Sequence, residues 1–392
     1  MKYGRHQAAA LAALGCDVTL LVDADAPDDP AGTATVHCVL ISETARRPGM
    51  PKALRLLQIA GRLLGNEWLL AREVFRHRPD AVLLASYCEY LAPASAWLQL
   101  ALVRLLGVAY VAVLHDPVRD FVVGPSWWHH LSVRMAFWPL SAVFVHEALP
   151  SAAEVPPRVV VREVPHGLYA ADALAVHSRD VVRGKWGVPT DAVVFLSFGF
   201  IRDGKNLDLC IRALRDNTSA WLVVMGRVAS ATVCRPVSFY KKLASELDVA
   251  DRVKLIEGYV KDGELGSCLD AADAIVLTYS GSFHSQSGVL NTVAGAGKPL
   301  LASSGESPLK QSVLRFRLGE FVPPDDVEAL SAGMARICSQ VQANREGSSH
   351  ALPAMDWEGF RRYASWETNA RVILETVAEV RGGGAESLAL RR

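Results

Sequence analysis

The sequence predicts an α/β protein made of two doubly wound, Rossmann-like domains. Three observations carry that expectation. Short runs that are apolar almost end to end alternate with amphipathic stretches along the whole chain, which is the pattern of strands buried on both faces of a parallel sheet between covering helices. The length of 392 residues suits about two domains. One apolar run ends in a glycine, passes through a loop bearing Arg202 and Lys205, and enters a helical stretch.

In the first half the strand-type runs are 17–23, 35–41, 80–86, 109–116, 142–147 and 159–167, with helices expected over Gln7–Leu14, Lys52–Arg76, Ala94–Leu106 and Trp128–Phe137. In the second half the runs are 193–199, 221–226, 253–260, 274–280 and 298–304, with helices near 206–216, 237–248, 262–271, 287–296 and 326–341. The first pattern winds down at VPHGLY (164–169), and a polar connector spans about 170–190. The expected division is residues 1–168, residues 169–355, a docking helix within 356–380 anchored by Trp357, Phe360, Tyr363 and Trp366, and a flexible tail over 381–392. The chain opens almost at a helix, MKYGRHQAAALAAL, where a doubly wound domain places a strand. This implies either a coding start further upstream or a domain lacking its first strand. Ligands of parallel sheets sit beyond the carboxyl ends of the strands, so two facing domains are expected to form a cleft site.

Composition narrows the function classes. The 41 basic and 41 acidic side chains balance, so no global field draws the chain to nucleic acid. The seven cysteines are scattered without a C-x-x-C pair, which argues against a disulfide framework or a structural zinc site and fits free thiols in a reducing cytoplasm. The most apolar stretch, Leu91–Leu114, is interrupted by Gln99, Arg104 and Gly107 and splits into a helix and a strand rather than a membrane span. No apolar leader is visible at the N-terminus.

The chemistry concentrates in FLSFGFIRDGKNLDLCIRAL (195–214). A glycine lets the backbone approach a ligand, a helix start offers free N–H groups, and paired cations neutralise phosphates, so the segment reads as a diphosphate site. Further on, SFHSQSGVLNTVAGAGKPLLAS (282–303) places Ser285, Ser287 and Gly288 at another helix start.

Taken together, the G-x-I-R-x-x-K-N run, the SGVL…A-x-G-K-P-x-x-A-S run and the expected pair of domains resemble the GT-B glycosyltransferases. The likeness is to the large retaining superfamily of group 1, or family 4-like, enzymes. It spans nearly the whole chain and is densest from Pro165 to Pro324. The resemblance implies that Gly199, Arg202 and Lys205 hold the donor diphosphate and stabilise the leaving nucleoside diphosphate. It also implies that the backbone at Tyr259 and Val260 faces the nucleobase, and that His284, Ser285, Ser287, Gly288, Val289 and Thr292 line the sugar and ribose. On the other domain, His115 and Asp116 in VLHD and His146 in VFVHE are implied to lie on the acceptor side. His115 is there a candidate for sugar contact or proton transfer, Glu147 is implied to line the same side, and His166-Gly167 matches the crossover between the domains, a structural or donor-adjacent place. Arg5 and His6 fall where the family has a glycine-rich loop, without its double-glycine signature.

The sequence departs from the family at one point. The retaining superfamily carries a pair of glutamates in the second segment; counted back from Gly297-Lys298-Pro299, those places hold His284 and Thr292. Thr292 or Asn291 retains hydrogen-bonding capacity toward a ribose hydroxyl, but a neutral group binds less strongly than a carboxylate. The resemblance therefore implies a modified donor pocket.

The expected activity is hexosyl transfer from a UDP- or GDP-linked sugar to a hydroxyl acceptor of a polysaccharide, glycolipid or secondary metabolite. Retention of configuration, no cofactor and no catalytic metal are further expectations. The alternatives are a non-catalytic GT-B partner subunit, which loss of both glutamates favours, and a GT-B nucleotide-sugar epimerase. A basic, leucine-rich segment (Lys52, Arg55, Arg62, Arg72, Arg76 and Arg78 against Glu67 and Glu73) and the aromatic run PSWWHHLSVRMAFW (125–138) raise a peripheral contact with the inner face of a membrane bearing a lipid-linked acceptor. Ordinary solvated helices account for the same residues equally well, and the tryptophans equally suit stacking on a sugar.

Overall fold

The computed structural model describes residues 2–23, 34–42, 51–85, 92–115, 125–146, 155–169, 176–229, 234–258, 262–347 and 354–382. The chain divides into two compact units, residues 1–167 with 365–392, and residues 168–364.

The first unit contains α1 (Lys2–Ala13), β1 (Thr19–Asp23), β2 (Thr35–Leu40), α2 (Lys52–His77), β3 (Ala81–Leu84), α3 (Ala92–Leu106), β4 (Ala109–Leu114), α4 (Ser126–Ala136), β5 (Leu140–Val145) and β6 (Val160–Glu163). Its strands pair in parallel as two sheets, β1 with β2, and β3-β4-β5-β6. Alternate residues of the larger sheet feed opposite cores. Tyr110, Ala112 and Val143 pack with Ala71 and Val74 of α2 and Leu102 of α3. Val111, Val113, Ala142 and Phe144 pack with Tyr3 and Leu11 of α1 and with Ala370 and Ile373 from the end of the chain. The strand period of two and the absence of charge on either face of β3, β4 and β5 explain the continuous apolar runs read from sequence.

The second unit contains α5 (Arg179–Trp186), β7 (Val193–Phe198), a 3-10 turn (Asp203–Lys205), α6 (Leu207–Ala213), β8 (Ala220–Gly226), α7 (Val237–Glu246), β9 (Val253–Glu257), α8 (Asp262–Ala271), β10 (Ala274–Thr278), α9 (Gly288–Val293), β11 (Leu300–Ser303), α10 (Pro308–Arg315), β12 (Gly319–Phe321), α11 (Val327–Arg345) and α12 (Trp357–Tyr363). The sheet is parallel with order β12-β11-β10-β7-β8-β9. Chain order reverses between β7 and β10, which makes the crevice beyond their carboxyl ends the topological switch point, where doubly wound sheets bind ligands.

Three local expectations are corrected. The connector expected over 170–190 holds α5, which ends at Gly187 in the left-handed conformation (φ 64°). Helix α10 and strand β12 lie where no element was expected. The single tail helix is two: α12 stops at Ala364, the Ser365 hydroxyl accepts from Thr368 N at 3.0 Å, and α13 (Trp366–Val380) begins. An N-capping serine restarts the helix, so α12 closes the core of the second unit while α13 covers the β4–β6 face of the first.

An Asp273 cluster fastens the second unit together. This carboxylate, just before β10, is bound by Arg183 Nη2 at 2.6 Å, by Arg179, and by Arg345 Nη2 at 3.0 and 3.1 Å, and it accepts from Val194 N at 2.8 Å. Arg183 is wholly buried and also donates to the carbonyls of Ala271, Thr190 and Ala192. The cluster joins α5, β7, the approach to β10 and α11.

Candidate functional site

The loop after β7 is built around Gly199. Its φ of 95° lies in the region that side chains avoid, and its N–H donates to Met225 O at 3.0 Å. A side chain at Gly226 would start 1.8 Å from the Gly199 carbonyl, so glycine at the end of β8 is what lets the two strand ends close together. The chain then pairs Ile201 with Val228 and turns through the 3-10 segment into α6.

That turn delivers the cations. Lys205 is buried, with Nζ donating to Phe198 O at 2.8 Å, and burial together with the neighbouring Arg202 pushes its pKa down to about 8. Arg202 is exposed, and its guanidinium lies 5.7 Å from the ring centres of both Tyr279 and Phe283. Those two rings stack on each other at 4.0 Å with planes 12° apart. The aromatic wall just beyond β10 therefore sets the direction of the arginine through cation–π attraction. A Cβ placed on Gly199 would lie 3.5 Å from both Lys205 Nζ and a Val289 methyl, so Gly199, Lys205 and Val289 converge.

The turn is held from outside as well. Thr278 Oγ1 donates to Lys205 O at 3.0 Å and Ser280 N to Gly204 O at 3.0 Å. Asn206, in a left-handed conformation (φ 50°), donates to Asp325 Oδ1 at 2.9 Å, and Asp325 Oδ2 accepts from Gly281 N at 2.7 Å. One carboxylate so ties the β7 loop to the β10 loop across the switch point. In the sequence Asn206 stands out only as part of a motif, and Asp325, Tyr279 and Phe283 do not stand out. Their signal was present in the run T-Y-S-G-S-F directly after a buried strand.

In the 282–303 segment, Ser287 caps α9: its hydroxyl accepts from Leu290 N at 3.3 Å and shares a hydrogen bond with Tyr279 OH at 3.0 Å. Ser287 is buried, and its hydroxyl helps hold the start of α9 to Tyr279. Helix α9 ends at Val293, short of the stretch to 296 read from sequence. Gly288 opens it, exposed, and Ser285 is half-buried in the loop before it. His284 Nδ1 is 2.9 Å from Glu306 O, so it carries the proton and leaves Nε2 as an acceptor. Thr292 donates back to Gly288 O at 2.9 Å, which keeps oxygen lone pairs for an incoming donor. Asn291 is buried with neither side-chain oxygen nor nitrogen bonded among the described residues, an orphaned amide beside the residues expected to face ribose. Tyr259, Val260, Asp116 and Glu147 lie outside the described residues.

In the first unit, His115 and His146 stand at the carboxyl ends of the adjacent strands β4 and β5. Nε2 of His146 lies 3.2 Å from Nδ1 of His115. The remaining His115 nitrogen, Nε2, lies 3.0 Å from Ala85 O and donates to it. His6 stacks on Trp366 with ring centres 5.3 Å apart, a packing role.

The comparisons agree with this architecture. Residues 178–348 match the family model "Glycosyl transferases group 1". Sucrose-phosphate synthase from Thermosynechococcus elongatus superposes with a TM-score of 0.67 at 16% identity over 98% of this chain and 94% of that one. WaaG, a glycosyltransferase involved in lipopolysaccharide biosynthesis, gives 0.55 at 15% identity over 97% and 96%. Anabaena HepE in complex with UDP and glucose gives 0.55 at 15% identity over 98% and 96%. No curated protein matches the chain in sequence. The fold is that of the GT-B glycosyltransferases. Within it, residues 178–348 are the part similar to the glycosyl transferases group 1 family.

Proposed function

We propose that the protein transfers a sugar from a nucleoside-diphosphate sugar to a hydroxyl acceptor with retention of configuration. The observation that carries this reading is Lys205, buried beside Gly199 at the switch point with its pKa already lowered by desolvation. A buried ammonium next to an exposed guanidinium is poorly solvated without an anion and gains strongly from a diphosphate. As the glycosidic bond lengthens, negative charge grows on the departing diphosphate, and preorganised cations there reduce the barrier. HepE is described in complex with UDP-glucose, which supports a nucleotide-sugar donor. His284 Nε2 and Thr292 Oγ1 take the places of the missing carboxylates as neutral acceptors toward sugar and ribose hydroxyls. His115 enters as a lining group.

A nucleotide-release assay across UDP- and GDP-linked sugars tests the reading. Acceptor-stimulated release of nucleotide with one donor class is expected. Nucleotide binding without release from any donor would instead support the partner-subunit reading, which the His284 and Thr292 replacements favour.

The depressed Lys205 pKa gives a pH signature. In the free protein Lys205 loses its proton as pH rises through about 8, and a neutral amine offers a diphosphate no charge. UDP or GDP affinity is therefore expected to hold below that pH and to fall by up to about tenfold per unit above it. Lys205→Arg is expected to flatten the profile, because guanidinium keeps its proton. Calorimetric titrations between about pH 7 and pH 9.5 read the difference; a flat wild-type profile would assign the charge elsewhere.

We also propose a peripheral membrane contact through α2. Leu56, Leu57, Trp68 and Phe75 are 66%, 69%, 66% and 64% exposed, and Arg55, Arg72 and Arg76 are exposed on the same helix. No described helix is long and apolar enough to cross a bilayer. Apolar side chains with flanking arginines suit the interface of an anionic bilayer. Cosedimentation with phosphatidylglycerol vesicles is expected for the wild type and to fall at least about fivefold for Leu56→Glu/Leu57→Glu, since each insertion contributes on the order of 1 kcal/mol. Equal sedimentation of both proteins would remove the contact.

A further inference from the structure

Neighbouring parallel strands of the first unit each lead to a histidine: His115 directly after β4, His146 directly after β5, and His166 shortly after β6. The register sets them together, because Leu114 pairs with Val145 and Val145 with Glu163. Nδ1 of His146 lies 3.0 Å from the Val164 carbonyl, which only accepts, so Nδ1 carries the hydrogen and Nε2 is bare. By the same reasoning His115 Nε2 donates to Ala85 O at 3.0 Å and its Nδ1 is bare. These bare nitrogens face each other at 3.2 Å. Two lone pairs at that separation repel unless a cation, either a proton or a metal ion, stands between them.

Several observations favour a metal. His166 joins the pair, so that one ligand atom from each histidine lies within 4.8 Å of the others. Two nitrogens on a tetrahedral zinc ion at about 2.0–2.1 Å stand about 3.3 Å apart, close to the spacing here. Anchoring of the distal ring nitrogens by backbone carbonyls is the outer-shell arrangement that orients metal-binding histidines. The Tyr3 ring sets its edge or face against all three, with centres 4.7, 5.6 and 5.2 Å away, and its hydroxyl accepts from Asn369 Nδ2 at 3.0 Å. The cluster therefore sits on a fixed platform.

We propose that His115, His146 and His166 form a three-histidine site for a divalent transition-metal ion, with zinc the best fit. Three histidine ligands leave a tetrahedral ion with an open position for an oxygen ligand, water or a hydroxyl group. The site is independent of the sugar-transfer reading and goes against the expectation of no metal drawn from sequence. The sequence signal of the site lies in L-H, V-H and P-H at or just after successive strand ends.

A second group, His37, Glu73 and His77, also brings ligand atoms together. Its carboxylate is already paired with Arg72 at 2.8 Å and with His77 at 3.3 Å, so a metal ion would have to displace an arginine there. It serves as the internal control.

Full-length protein stripped with a chelator and titrated with Zn(II) against a chromophoric competitor tests the proposal. One tight equivalent is expected, weakened about 10–100-fold by His146→Ala and by His115→Gln and unchanged in His77→Ala. Should His146→Ala unfold, His115→Gln at the exposed end of the cluster still decides, with thermal melting as the check on its fold. Co(II) is expected to give intense tetrahedral visible bands that vanish in the same variants. Absence of a stoichiometric ion, or binding lost only in His77→Ala, would overturn the proposal. So would ¹⁵N spectra in which the His115–His146 hydrogen bond persists under excess Zn(II), since that identifies a shared proton.

Discussion

Lys205→Ala is expected to lower kcat/KM for the nucleotide-sugar donor by about 10²–10³-fold, with most of the loss in kcat. Both effects of the substitution fall on the diphosphate. It removes the cation beneath the developing charge, and it leaves the exposed Arg202 as the remaining contact from that turn. Stability is expected to change little. The buried ammonium gains one hydrogen bond, to Phe198 O, against a desolvation cost large enough to pull its pKa to about 8. Loss of turnover at an unchanged melting temperature is therefore the signature of a ligand-facing lysine; a structural lysine would lower both. Arg202→Ala is expected to act more through KM, because an exposed guanidinium binds substrate and transition state more evenly.

Asp273→Ala is expected to be the most destabilising single change in the second unit. It strips the shared partner from Arg179, Arg183 and Arg345 and leaves the fully buried Arg183 charge uncompensated. Breaking a buried pair by removing one partner costs about 3–5 kcal/mol, which for a unit of this size lowers the melting temperature by roughly 10 °C. Asp273→Asn is expected to fall between, since an amide oxygen still accepts from Val194 N while the charge is lost. Thermal melts of the three proteins at neutral pH measure this, and similar midpoints would show that the arginines find other acceptors.

The parts legible in the sequence were those with a local cause. Apolar runs give β7 and β10 because both faces of a parallel strand are buried, and Gly199, Arg202 and Lys205 are read from one loop whose spacing is set by a single turn. Other features depend on residues distant in the chain. Asp325 closes the site from beyond β12, and Tyr279 and Phe283 aim Arg202 from the next loop across the switch point. Asp273 gathers arginines from α5 and α11. The break at Ser365 was local and visible in principle, but the aromatic periodicity of 357–380 masked it. The histidine cluster was visible residue by residue; the in-register pairing of β4, β5 and β6 turns it into a cluster.

The central claim is that the turn between β7 and α6 binds a nucleoside diphosphate. Titration of the full-length protein with UDP and with GDP in a calorimeter at neutral pH tests it most directly, with Lys205→Ala alongside. The account predicts saturable, near one-to-one binding of one of the two nucleotides, weakened at least about tenfold by the substitution. Absence of heat with either nucleotide, or equal affinity in the variant, would contradict it.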